Sequence, residues 1–580
     1  MIFKPEFIEN GFFSEYPRPQ LKRQSFFNLC GEWDYAITKT SDLLDSFDGK
    51  ILVPFCPESK LSGVNRQLKK DEFLHLSKHF TLPQGFNRGR VILNVGAIDQ
   101  CAKIYLNGKL LLEHNDGYNS FSVELENIVE GENHLYILVT DDADSPIYGR
   151  GKQTYKRGGI WYTATSGIWQ PVWIESVPTD YIKGFKLYPD FDNQTLTVTF
   201  DTTDPQKSVY VSVIDQNQIV KEGQSDKNKV VIDCKGLKPW SPNDPQLYPI
   251  KFNYGNDAVE SYFGLRKFSK VKIGEKYYFA INNEPIFLNG LLDQGYFPDG
   301  FYTPKSNKVL YEQVSQVKSL GYNMLRKHIK VEPDLWYYYC DILGVVVWQD
   351  MINGGAKYSP VRIAIMPFIR LKLKDTNYKL MKRADPRSRE QYVLEANRLI
   401  DRLFNCVSLQ LYTPFNEGWG QFDAVKNYNL LSQKDSTRLY DHASGWIDKG
   451  AGDTNSRHIY FRKARPKSDG KRVLTLSEFG GYSLRVAGHE SSPKKFGYKR
   501  FKNADALTKA YKNLYYNEVV PLIKTQGLSA TVYTQLTDVE DEDNGIFTYD
   551  GVLKINKDTL KDINKAVYEA FDKHVFGAKE

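Results

Sequence analysis

Eight short apolar runs recur between residue 269 and the end of the chain, and their alternation with longer helical stretches constrains the fold more than any other feature. The runs are Ile286–Asn289, Tyr322–Arg326, Val345–Gln349, Leu409–Phe415, Arg438–His442, His458–Tyr460, Val473–Glu478 and Ala530–Thr534. Stretches such as Lys308–Leu320 and Arg387–Phe404, with apolar residues at helical spacing, lie between them. Strands that alternate with helices predict a parallel sheet, and eight repeats predict a closed (β/α)8 barrel. The sixth run is very short and is the weakest of the set.

The preceding residues have a different texture, of short alternating strands broken by turns. Val91, Leu93 and Val95 alternate, as do Ala102, Ile104 and Leu106, and Asn107-Gly108 then leads into Leu110 and Leu112. Asn-Gly between alternating apolar positions signals a two-residue hairpin, because both residues tolerate the left-handed backbone that the turn requires. Many short strands at regular spacing predict a jelly-roll sandwich over 1–180. Residues 181–268 continue all-β, with Leu196, Val198 and Phe200 on one strand and Val209, Val211 and Val213 on another. That length suits a seven-stranded immunoglobulin-like β-sandwich. The expected chain is multidomain, with a (β/α)8 TIM barrel over 269–580 as its third part.

Charge and cysteine usage remove several function classes. The formal net charge is +7, from 77 basic and 70 acidic side chains scattered along the chain. A nucleic-acid binder would gather its basic residues into one stripe. No apolar run approaches the roughly 18 residues of a membrane span, and Lys4, Glu6 and Glu9 stand where a secretory signal needs an apolar core. Cys30, Cys56, Cys101, Cys234, Cys340 and Cys406 form no Cys-x-x-Cys pair, which predicts buried thiols in a reducing compartment. The expectation is a cytoplasmic protein without nucleic-acid or membrane partners. Neither a glycine-rich phosphate loop nor a Gly-x-Ser-x-Gly elbow occurs in a suitable setting. Aromatic residues reach 14%; flat rings pack cores and also stack on sugar faces.

The ends of the eight runs carry the chemistry. They finish in Asn289, Arg326-Lys327-His328, Gln349-Asp350, Asn416-Glu417, His442, Tyr460, Glu478 and Gln535. Polar groups at the C-terminal ends of barrel strands converge on one mouth, where such folds place their active sites. Glu417 and Glu478 each follow a buried strand, where an ionised carboxylate is costly without partners. Two carboxyls facing one gap are what glycoside cleavage needs, one to protonate the departing oxygen and one to attack the anomeric carbon or activate water.

These residues sit in a wider pattern that resembles glycoside hydrolase family 2, the β-galactosidase, β-glucuronidase and β-mannosidase family. Tyr16-Pro-Arg-Pro-Gln, Gly96-Ala-Ile-Asp99, Asn107-Gly108 and Ser166-Gly-Ile-Trp-Gln-Pro-Val-Trp-Ile-Glu175 resemble its sugar-binding jelly roll. Pro239-Trp-Ser-Pro-Asn-Asp-Pro-Gln-Leu-Tyr248 and Tyr262-Phe-Gly-Leu-Arg266 resemble its immunoglobulin-like domain and the crossing into the barrel. Phe415-Asn-Glu417 resembles the acid/base segment and Ser477-Glu478-Phe-Gly480 the nucleophile segment. The resemblance implies a retaining, exo-acting β-glycosidase with Glu417 as acid/base and Glu478 as nucleophile. It further implies that Asn416 holds the sugar 2-hydroxyl and that Arg326 and Tyr533 bond Glu478. A carbohydrate is the expected partner, no cofactor or catalytic metal is expected, and family members often associate through their sandwich domains.

Departures from the family pattern bear on the substrate. Where family glucuronidases carry an Asn-x-Lys-Gly motif, this chain has Val539-Glu-Asp-Glu-Asp-Asn544-Gly545, which is expected to repel a uronic acid. Asp541 to Asp543 read as a solvated loop, and Asp538 and Glu540, closer to the strand end, as acceptors for sugar hydroxyls or an amine. Arg326-Lys-His328-Ile-Lys330 lacks the usual galactosidase spacing, and Val347-Trp-Gln-Asp350 resembles the mannosidase and glucosaminidase branch. Asp293 resembles a hydroxyl-binding acid and His458 with Tyr460 the family's His-x-Tyr. Trp419 and Trp446 fall near the mouth with the option of stacking on sugars, and His489 lies in the seventh loop. A β-galactosidase-like activity is the leading expectation. β-Mannosidase, galactofuranosidase or arabinosidase specificity, or a non-catalytic carbohydrate-binding protein on the same scaffold, are the alternatives.

Overall fold

The computed structural model describes residues 12–358 and 373–577, with residues 5, 7 and 8; Lys4, Glu6 and Glu9 lie outside the described residues. A six-stranded antiparallel sheet opens the fold, in the order Gly49–Val53, Gly31–Thr38, Phe73–Thr81, Glu132–Thr140, Cys101–Leu106 and Lys109–Asn115. A four-stranded sheet of Phe27–Asn28, Val172–Val177, Arg90–Val95 and Phe121–Glu124 packs with it. Val91, Leu93, Val95, Ala102, Ile104 and Leu106 all enter the shared core. Alternation places every second side chain on one face of a strand, which is why the apolar positions meet there. Asn107 and Gly108, with φ of 49° and 81°, turn the Cys101–Leu106 strand into its hairpin partner.

Seven strands follow in sheets of three and four. Val198 and Phe200 pack against Val211, Val213 and Phe252 in their common core. A small antiparallel unit comes next, Phe268–Ile273 and Lys276–Ile281 with Glu284–Pro285. Phe279 and Ile281 pack with Leu288, Met324, Trp348, Val473 and Val532 from the barrel strands, so this unit plugs the barrel's N-terminal end. The first barrel strand accordingly starts only at Leu288.

The eight barrel strands are Leu288–Asp293, Met324–Lys327, Val346–Asp350, Leu409–Thr413, Leu439–Tyr440, Thr454–Ile459, Val473–Gly480 and Leu528–Thr534. All neighbouring pairs run parallel, in an order that places strand one between two and eight and leaves a single seam between five and six. Across that seam, the Asp453 N–H donates to the Tyr440 carbonyl and its carboxylate accepts from the Tyr440 N–H. The weak strand is the fifth, with two residues, rather than the sixth, which has six. Helices follow strands one to four, seven and eight, among them Asn307–Ser319 and Pro386–Leu403. The connections from five to six and from six to seven contain no helix. No helix among the described residues is long and apolar enough to cross a membrane.

One excursion of the N-terminal sandwich decides the shape of the barrel mouth. Between the strands Glu132–Thr140 and Val172–Val177 the chain leaves its own sheets and rides over the C-terminal strand ends. There the N–H groups of Arg150 and Gly151 donate to the Asn353 carbonyl, Gly149 donates to Glu395, and Thr163 donates to Glu540.

Candidate active site

Arg326, fully buried at the end of strand two, organises the mouth. Its Nε and Nη2 bond the two oxygens of Asp350 at 3.0 Å each. Nη2 also donates to Asn416 Oδ1 at 2.8 Å, and Nη1 reaches Glu478 Oε1 at 3.2 Å and the Ser477 carbonyl at 2.9 Å. A planar guanidinium with five donors can join several acceptors at once, and here it ties together the ends of strands two, three, four and seven. Asp350 also meets His328 Nδ1 at 2.7 Å. Burial and the charge of Lys152 push His328 down to about 4, so its ring is neutral at pH 7.

Glu417 and Glu478 face each other across His458. His458 Nδ1 is 2.8 Å from Glu417 Oε1 and 3.7 Å from Glu478 Oε2, while Nε2 meets Ser444 Oγ at 2.9 Å. The three ligand atoms of Glu417, His458 and Glu478 all lie within 4.8 Å of one another. Among the described residues this is the one cluster whose donors could take a metal ion. Glu417 occupies the left-handed backbone region, with φ of 52°. This conformation is costly for a residue with a side chain, and the bond from its N–H to the Ser444 carbonyl at 2.8 Å helps to hold it.

The two carboxyls sit in opposed fields. Burial, and then the neighbouring charge of Glu478, push Glu417 above its ordinary range. For Glu478 burial acts in the same direction, but the neighbouring His458, the Arg326 guanidinium and the donating hydroxyl of Tyr460 outweigh it, holding the carboxyl below its ordinary range. Such a split gives one carboxyl that keeps its proton and one that loses it.

A cavity of about 630 Å³ opens in front of Glu417, walled by Trp161, Tyr358, Trp419, Trp446, Tyr460, Phe461, Phe496 and Tyr498. Trp419 and Trp446, both singled out in the sequence, therefore line it. Tyr460 and Tyr498 stack face to face at 4.0 Å.

Other expected residues do not reach this centre. Tyr533 makes no bond to Glu478; its hydroxyl accepts from the Tyr482 N–H and its ring packs behind strand seven. A Cβ on Gly480 would come within 2.3 Å of that ring, so the glycine makes room for it. Tyr460 takes the role assigned to Tyr533. Asp293 is buried against Lys327 at 2.6 Å. Asp538 pairs with Lys554 at 2.5 Å and accepts the Gly545 N–H. Glu540 accepts both the N–H and the hydroxyl of Thr163, locking the sandwich to the barrel. Asp541 to Asp543 are buried rather than solvated: Asp541 pairs with Arg157 at 3.1 Å, and Glu542 accepts from the Tyr162 hydroxyl. His489 is partly exposed and pairs with Asp550.

Sequence reasoning passed over Tyr498, Trp161 and Lys152. Trp161 and Lys152 sit in the sandwich excursion, where no local periodicity marks them. Tyr460 and Asp350 were visible as polar strand ends but carried no assigned role.

Known proteins place this architecture. The family described as "Glycosyl hydrolases family 2" matches residues 181–266, and the "Glycosyl hydrolase 2 galactose-binding domain-like" description matches 41–158. Both matched segments are thus of glycosyl hydrolase family 2. The chain is 22% identical over 355 residues to a β-galactosidase of Thermoanaerobacter pseudethanolicus, covering 56% of this chain and 46% of that one. It is 24% identical over 364 residues to β-mannosidase B of Emericella nidulans, covering 54% and 42%. It thus spans about half the length of the curated relatives it matches. The solved structure of a β-D-glucuronidase from Dictyoglomus thermophilum shares the fold, with a TM-score of 0.74, 18% identity, and coverage of 95% of this chain and 98% of that one.

Proposed function

We propose that this protein is a retaining exo-β-glycosidase that releases a terminal sugar by double displacement. The observation that carries the reading is the pair Glu417 and Glu478, with oxygens within 4.8 Å and opposite displacements of their acidities. Retaining enzymes hold their two carboxyls roughly 5–5.5 Å apart, whereas inverting ones leave room for a water between them. In the first step the Glu478 carboxylate attacks the anomeric carbon while Glu417 gives its proton to the departing glycosidic oxygen. A glycosyl ester on Glu478 and a free alcohol result. In the second step Glu417, now ionised, takes a proton from water; the hydroxide oxygen bonds to the anomeric carbon and Glu478 leaves as carboxylate. Arg326 fixes the Asn416 carbonyl, so the amide nitrogen, which is buried without a partner, is free to donate to a sugar hydroxyl.

A β-galactosidase-like preference is the leading finer reading, supported by the sequence resemblance and the galactosidase relative; a β-mannosidase-like preference is its rival, supported by Val347-Trp-Gln-Asp350 and the mannosidase relative. A cytoplasmic location belongs to the same proposal, supported by six free cysteines. A panel of nitrophenyl β-glycosides tests the activity. Turnover that Glu478→Gln abolishes and that azide partly restores in Glu417→Ala supports the assignment. Sugar binding without turnover by the unmodified protein would favour the non-catalytic scaffold, and full activity in either variant would overturn the residue roles.

A further inference from the structure

The N-terminal sandwich brings to the cleavage site a cation that the mechanism above does not use. Lys152 is 8% exposed and lies in the excursion that crosses the barrel mouth. Its ammonium stands 6.0 Å from the ring centre of Trp419, which lines the cavity beside Glu417, and 5.4 Å from that of Tyr162. Its charge is felt by Glu417, by His328 and by the buried Glu542, which accepts a hydrogen bond from the same Tyr162.

Lys152 differs from the other buried lysines around the mouth. Lys327 meets Asp293 and Glu332, Lys330 meets Glu332, and Lys554 meets Asp538. Among the described residues Lys152 has no ion pair and no side-chain hydrogen bond, only the two ring faces. Ring faces offset part of the cost of withdrawing an ammonium from water, but a buried ammonium that makes no direct ion pair or hydrogen bond stays unfavourable. Asn353, whose carbonyl holds the backbone immediately before Lys152, has both side-chain amide atoms buried without partners. An ammonium and an idle amide on abutting segments can together receive an anion's oxygens. Of the carboxylates expected to repel such a group, Asp538 is engaged by Lys554, Glu540 by Thr163 and Asp541 by Arg157, while Glu542 accepts from the Tyr162 hydroxyl and burial pushes it above its ordinary range, toward the neutral form.

We propose that Lys152 is a specificity-determining residue that binds an anionic substituent, a carboxylate or a sulfate ester, on the sugar held between Glu417 and Glu478. The proposal rests on the glycosidase reading for its site. It runs against the expectation that the acidic stretch 539–545 repels acidic sugars.

The test compares kcat/KM for nitrophenyl β-glucuronide, β-galacturonide and 6-sulfated β-galactoside with that for the neutral β-glucoside and β-galactoside. The unmodified protein is expected to favour an anionic member, and whether that is the uronide or the sulfate identifies the anion. In Lys152→Met the anionic-to-neutral ratio should fall roughly 10- to 100-fold, as for loss of a hydrogen bond between charged groups, and Lys152→Arg should restore part of it. A preference of the unmodified protein for neutral substrates, or an equal loss on both kinds in Lys152→Met, would overturn the proposal. If no glycoside is turned over, the glycosidase reading fails by itself and calorimetry with glucuronate and galacturonate against glucose and galactose decides. Tighter uronate binding that Lys152→Met removes supports the role of Lys152; equal binding of acidic and neutral sugars, or no binding, refutes it.

Discussion

Replacing Arg326 by Met perturbs the active site and the barrel together, and the structure sets the size of both effects. The guanidinium makes five hydrogen bonds of 2.8–3.2 Å to Asp350, Asn416, Glu478 and the Ser477 carbonyl. Methionine fills much of the volume but leaves two buried carboxylates without their cation. Removing one partner of a buried ion pair costs about 3–5 kcal/mol, which for a barrel of this size lowers its unfolding midpoint by on the order of 10 °C. The sign of the pH effect follows from the depressed pKa values of Glu478 and Asp350; against burial, His458 and Arg326 hold down the first and Arg326 the second. Their stabilising contribution is present above the ordinary carboxylate range and is lost as pH falls through the depressed values. The deficit of Arg326→Met relative to the unmodified protein should therefore be full at neutral pH and shrink in strong acid. In kcat/KM against pH the acidic limb should move to higher pH, because Glu478 then ionises later. Scanning calorimetry and the pH–rate profile read these two effects, and Arg326→Met combined with Asp350→Asn should recover part of the lost stability, since it removes one stranded charge. An unchanged acidic limb together with a midpoint lowered by less than about 2 °C would refute the view of Arg326 as the charge hub.

Other variants probe separate links. His458→Ala should shift both limbs of the pH–rate profile to higher pH, because His458 lowers the pKa of Glu417 and Glu478 alike; opposite movements would contradict this. Tyr460→Phe removes a donor to Glu478 and should lower kcat by roughly tenfold, the scale of one hydrogen bond to a charged group, whereas Tyr533→Phe should leave the pH profile in place. Glu540→Ala strands the half-buried N–H and hydroxyl of Thr163 and should cost about 1 kcal/mol, seen as a lower unfolding midpoint and easier proteolysis between sandwich and barrel. Loss of activity in Glu540→Ala without loss of stability would instead restore its expected role as a hydroxyl acceptor.

Much of the fold was legible because its signals are local. Period-two alternation placed Val91, Leu93 and Val95 inward, and Asn107-Gly108 marked a hairpin that closes with two left-handed residues. The fifth and sixth barrel strands were ranked the wrong way round because run length is a poor guide where the sheet has a seam. The terminal plug at 268–285 was invisible as such, since its strands look like any other edge hairpin until they meet the barrel floor. Around the site, the residues adjoining strands two, four, six and seven (Arg326, Asn416, Glu417, His458 and Glu478) converge as their positions at strand ends imply. Tyr533 failed for a steric reason, the open space at Gly480 that draws its ring behind the strand.

Sequence by itself determined which residues could be buried and which strand ends could bear a carboxylate, because the direction of a side chain along a strand depends only on its immediate neighbours. Tertiary structure alone decided which charge answers which. Glu540 is claimed by Thr163, 377 positions away, Asp293 by Lys327, and Lys152 arrives at the barrel mouth from the N-terminal sandwich, where its charge reaches Glu417 and Glu542. A buried ionised group takes its energy from whatever lies within a few ångströms, and that distance is set by the packing of remote segments, which no local pattern encodes.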